Sequence, residues 1–211
     1  MRNIYMGLII PSIVLFPIII ALYNRKYWLV FVRMVFFYLL FSLFFIVFSL
    51  VTNNLYINNL PILHLYTVLE FIIICMLFRS FTEKKKDHYF FTYLAFLFVL
   101  FAIAYVVLTN SLYRFNTWPR FIGSLIIVFC CIYFLIKELV NEKKEKLTFK
   151  TIILFGLMLY FSSSSILFGM SQLLIGKSSA FTLLVWNIHA TILAIMYLMF
   201  AWAFLQLKKE K

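Results

Sequence analysis

Glu70 is the only acid inside any apolar stretch of this chain, and it sits in the segment LPILHLYTVLEFIIICMLFRSFTEKKK, Leu60 to Lys86. A carboxylate near the middle of a membrane helix is costly, so it must face other polar groups. There it can carry a proton, anchor a ligand or, protonated, hydrogen-bond a neighbouring helix. Thr67 and His64 precede it at intervals of three. On a helix that spacing makes a ridge drifting by about 60° per step, so the three side chains can share one cavity. Counting about 1.5 Å per residue from Pro61 places Glu70 about 13 Å deep and leaves His64 close to the membrane surface.

Two later segments supply further polar groups. In the run Ser162 to Ser165 every face carries a hydroxyl, but Ser162, Ser165, Gly169 and Gln172 share one side through steps of three, four and three. Such a side packs closely against a neighbouring helix, lines a cavity or marks a locally irregular helix. Farther on, Asn187, Ala190, Thr191, Ala194 and Ala201 share a face that reads as a seam of small residues with an asparagine as glue. His189 points about 200° away from Asn187 and lies about 12 Å deep, where it would meet Glu70 if the two helices are neighbours. The expected ligand or proton pocket is therefore His64, Thr67, Glu70, Ser162, Ser165, Gln172, Asn187 and His189.

These groups need a framework, and the composition says which. At 65% hydrophobic and 12% charged, with a mean hydropathy of +1.04, the chain lies far from soluble domains, where about a quarter of residues are charged. Crossing a ~30 Å hydrocarbon core takes about 20 helical residues. Seven stretches qualify, approximately 4–23, 27–51, 61–78, 89–109, 121–136, 151–175 and 181–205. They are solidly apolar rather than alternating, which excludes a transmembrane barrel. The expected fold class is an all-α integral membrane protein, a seven-transmembrane-helix bundle forming a single membrane domain. The Lys137 to Lys150 connection is too short for a soluble domain. The first stretch lacks a small-residue cleavage site and carries Pro11 and Pro17, so it reads as a kinked helix rather than a signal peptide.

All but Arg2, Arg114, Arg120 and Lys177 of the 19 Lys and Arg fall on one side of this arrangement. The positive-inside rule then puts the N-terminus outside and the C-terminus in the cytoplasm. The same distribution accounts for the net charge of +12. Charge spread over short loops argues against a nucleic-acid partner. The abundance of Phe, Ile, Lys and Asn points to an AT-rich bacterial genome, hence the bacterial cytoplasmic membrane.

Several chemistries find no support. The last span has no lysine for a retinal Schiff base, and neither G-x-S-x-G nor a phosphate-cradling glycine loop occurs. His64 and Glu70 are about 9 Å apart along one helix axis, whereas zinc bonds are ~2 Å, so one metal cannot take both. Leu193 stands where the seven-helix hydrolases of the ceramidase and adiponectin-receptor type would need a second histidine, four residues after His189. Cys75, Cys130 and Cys131 lack C-x-x-C spacing and read as apolar filler. No metal and no cofactor is expected.

In topology alone the arrangement resembles the membrane input modules of bacterial sensor kinases. Any signal would pass from the bilayer-embedded chain to a separate protein partner through the basic cytoplasmic loops. The expected function is a non-enzymatic sensor, receptor-like or accessory protein with a polar pocket in the outer half of the membrane. A proton-coupled transporter or channel using Glu70 is the alternative, and an intramembrane hydrolase comes third.

Overall fold

The computed structural model describes residues 5, 9–140, 148–174 and 178–207. Among them every regular element is helical: α1 (Ile10–Ile13), α2 (Leu15–Tyr23), a 3₁₀ turn (Arg25–Tyr27), α3 (Val30–Asn54), α4 (Leu60–Ser80), α5 (Lys85–Thr109), α6 (Thr117–Val140), α7 (Phe149–Gly169), α8 (Ser171–Leu174) and α9 (Ser179–Gln206). Six of these, α3 to α7 and α9, are long and apolar enough to cross a membrane. The shortest, α4 and α7, have 21 residues, about 31 Å of rise, which matches the hydrocarbon core. Phe37, Phe44, Phe96, Leu97 and Val107 are each more than half exposed. A surface so apolar belongs against lipid. The chain has the architecture of a multi-pass membrane protein.

The first expected span is the exception. Its described part, Ile10–Tyr23, is shorter than the other six and breaks at Val14 between α1 and α2. Pro17 has no N–H to offer the Ile13 carbonyl four residues back, and its ring crowds that carbonyl. At the break itself Val14 N–H bonds to Pro11 O, three residues back, in a tighter turn.

Elsewhere helices outrun their apolar windows. Helix α5 starts at Lys85 rather than Tyr89, with Asp87 in a first turn whose positive dipole end favours an acid. Helix α6 starts at Thr117 rather than Phe121. In contrast, the expected span 151–175 is interrupted at Met170, so that Gln172 lies on the separate short helix α8.

The chain divides into two compact units. In the unit Leu29–Gly123, α4 packs against α3 and α5. Phe71 of α4 stacks on Phe98 of α5 with ring centroids 3.9 Å apart. Gly123 lets the first turns of α6 lie on this stack, since a Cβ there would come within 2.9 Å of the Phe98 ring.

The other unit takes in Met1–Trp28 and Ser124–Lys211. Here α9 packs along α7, and α1 and α2 pack on α9. Gly156 is the close-approach point, where a Cβ would stand 3.0 Å from the Phe200 ring. Tyr5 bonds Thr191 through their hydroxyls at 2.7 Å, and Asn24 Nδ2 donates to Phe204 O at 3.3 Å. Both partners advance together along the sequence, so the N-terminal segment runs parallel to α9.

Candidate functional site

Glu70 lies midway along α4 and is 1% exposed. Its Oε2 is ion-paired with Arg120 Nη1. Its Oε1 accepts from Tyr66 OH at 2.6 Å and from Tyr38 OH at 3.3 Å. Tyr66 precedes Glu70 by one turn of α4, the spacing that puts two side chains on one face. Tyr38 comes from α3 and Arg120 from α6, so three helices converge on one carboxylate. The guanidinium also sits 5.6 Å from the centre of the Tyr66 ring, a cation–π distance. With both charges shielded from solvent, losing one partner would strand the other, a loss of about 3–5 kcal/mol.

Arg120 was expected in the connection before Phe121, and the earlier start of α6 places it inside the helix. Pro119 makes that start favourable, because first-turn N–H groups have no intrahelical acceptor to lose. Lying in the first turn of α6, Arg120 reaches Glu70, midway along α4, through its long side chain.

The ridge His64, Thr67, Glu70 fans out as its drift requires. His64 is buried and its Nε2 lies 3.0 Å from Ser111 O and 3.1 Å from Arg114 O. Carbonyl oxygens only accept, so Nε2 carries a proton and pins the α5–α6 connection onto α4. That connection begins with Asn110 at φ 47°, a left-handed residue closing α5. Thr67 spends its hydroxyl on Leu63 O, 3.1 Å away in its own helix. Asn116 is 1% exposed, with Nδ2 3.5 Å from Leu63 O and Oδ1 without a partner among the described residues. His64 and Asn116 line a cavity of about 360 Å³, whose other walls are apolar side chains of α4 and α5 together with Leu112.

In the other unit His189 is half-buried, and its Nδ1 lies 2.8 Å from Ser163 Oγ. The same hydroxyl donates to Tyr160 O at 2.9 Å. One hydroxyl has one proton, so both bonds form together when His189 Nδ1–H is the donor to Ser163. In that state the imidazole is not placed to take the serine proton, as a nucleophile's base must. The ring stacks on Tyr160 with centroids 5.4 Å apart and meets Trp186 edge-on at 6.3 Å.

Of the expected residues, His64, Thr67 and Glu70 belong to the Leu29–Gly123 unit, and Ser162, Ser165, Gln172, Asn187 and His189 to the other. Ser165 bonds Ser162 O within α7 at 2.9 Å. The Asn187 carbonyl accepts from Thr191. The side chain of Gln172 lies outside the described residues. Tyr38, Tyr66, Arg120, Asn116 and Ser163 were not singled out from sequence. Tyr66 was readable from its spacing of four to Glu70, and Arg120 from the proline beside it. Comparison of the chain with protein-family models, with curated proteins and with solved structures finds no match.

Proposed function

We propose that this chain is a receptor-like or accessory protein of the bacterial cytoplasmic membrane, not an enzyme, and that the Glu70–Arg120 pair is the element a signal rearranges. The observation that carries this reading is the convergence of Tyr38, Tyr66 and Arg120, from three helices, on one sealed carboxylate. Buried ion pairs often add no net stability over apolar side chains of similar volume, and their best-attested use is to set register or to switch. An ion pair kept in a chain this hydrophobic therefore points to positional control.

The test is proximity labelling from a tag at the C-terminus of wild-type, Glu70→Gln and Arg120→Gln proteins present at equal levels in the membrane. The labelled partners of both variants are expected to differ from those of wild type. Identical profiles in all three would reduce the pair to scaffolding.

For topology, the reading is a single membrane domain in which the segment 4–23 is a seventh crossing, with the N-terminus outside and the basic connections and C-terminus cytoplasmic. The parallel course of Tyr5–Thr191 and Asn24–Phe204 along α9 supports it. Impermeant maleimide should modify a cysteine placed at the N-terminus or at Ile57 in intact cells, in a background lacking Cys75, Cys130 and Cys131, and one at Glu83 only after permeabilisation.

Proton-coupled transport is the second reading, favoured by an ionisable pair within membrane helices. Proteoliposomes given a pH jump decide it. Transport requires flux that Glu70→Gln abolishes, and absence of flux removes this reading.

A further inference from the structure

We infer that the cavity between α4 and α5 is a binding site for a small membrane-dissolved amphiphile, an aliphatic body ended by a hydrogen-bond donor such as a hydroxyl. Its volume of about 360 Å³ falls in the range of roughly 300–1,000 Å³ typical of small-molecule sites. Leu65, Val68, Val99, Ala102, Ile103 and Val106 form most of the wall. In a chain with 27 Phe and 13 Tyr, no Phe, Tyr or Trp stands among the described lining residues. A flat ligand finds no Phe, Tyr or Trp to stack on, whereas a flexible hydrocarbon fits branched aliphatic walls.

The polar end specifies the head group. Among the described residues Asn116 Oδ1 is buried without a partner, and the Asn116 amide nitrogen makes only a 3.5 Å contact with Leu63 O. Turning the carboxamide toward the cavity sacrifices only that long bond. His64 Nε2 is already engaged with two carbonyls of the α5–α6 connection, so the Asn116 oxygen is the acceptor this end of the cavity offers. An unpaired acceptor calls for a donor. Leu65, Ile103 and Val107 border the cavity and are each more than half exposed on the lipid-facing surface, so the ligand enters from the bilayer. Neither Glu70 nor Arg120 lines this site, and it stands or falls apart from the proposed signalling role.

The experiment uses the full chain in nanodiscs with a diazirine analogue of decanol, labelled peptides being mapped by mass spectrometry. Saturable labelling of α4 and α5 is expected, displaced by decanol about fivefold more effectively than by decane, the order of factor one neutral hydrogen bond supplies. Ala102→Phe, which fills the cavity, should abolish the labelling. Asn116→Leu should equalise the two competitors. Labelling that never saturates is ordinary lipid contact and overturns the site. Equal displacement by decanol and decane in the unmutated protein overturns the head-group assignment, and needs no variant to fold.

Discussion

Glu70 and His189 are both ionisable groups within membrane-spanning helices, yet they are housed differently. Glu70 is closed off and held by one guanidinium and two phenols from three helices. His189 is half-buried and has a serine hydroxyl at one nitrogen and two aromatic rings around it. Ring faces cannot stabilise a carboxylate, so the acid needs a cation and donors. An imidazole can be neutral and is content with a hydroxyl and ring contacts. The contrast teaches that one unit adds a charged fastening point to its aromatic packing, while the other relies on close packing along the length of α7 and α9.

The largest effect that would break this contrast is on the charged side. Arg120→Leu should destabilise the folded protein by about 3–5 kcal/mol, because Glu70 is left uncompensated. The double variant Glu70→Leu/Arg120→Leu should recover most of that loss, since an apolar replacement of both partners is often neutral. Reversible unfolding in bicelles measures both. A double variant as unstable as the single one would mean that packing, not charge, fastens this unit too.

Next in size comes the packed side. Gly156→Leu would drive a side chain into the Phe200 ring, which a Cβ alone already meets at 3.0 Å. Overpacking of this kind costs about 1–3 kcal/mol. The same unfolding assay checks it, and a neutral result would show α7 and α9 able to separate without loss.

Particular residues show how much of this was legible in the sequence. The six long helices follow from apolar length, because a hydrocarbon solvent leaves few alternatives for the backbone. That Glu70 must face inward followed from the same physics. Its cation did not, because Arg120 stands one residue before the apolar run at Phe121 and reads as interfacial until Pro119 is recognised as a first-turn residue. Ser163 does not stand out in the sequence, because the spacing of Ser162 and Ser165 matches Gly169 and Gln172 and its own does not. The helix breaks at Met170, so that face does not continue. Periodicity reports which residues share a side of a helix, but not where the helix stops.

Within the charged centre, Tyr66→Phe should cost about 1.5 kcal/mol, the lower end for a hydrogen bond to a charged group. Tyr38→Phe should cost less, since its contact is 3.3 Å against 2.6 Å. Equal losses in the unfolding assay would mean that the two phenols share the carboxylate evenly.

The smallest expected effect is Ser163→Ala, at about 0.6 kcal/mol, the average for a hydrogen bond between membrane helices. The value is low because the unfolded chain in a membrane also finds polar partners, and because Tyr160 and Trp186 still hold the ring after the hydroxyl is gone. His189→Ala removes the ring contacts as well and should cost more by about 0.5–1.5 kcal/mol, the worth of an aromatic pair. A Ser163→Ala loss as large as that of Arg120→Leu would instead mean that His189 carries a charge needing that hydroxyl. The distinction between a charge-fastened and a packing-fastened unit would then fail.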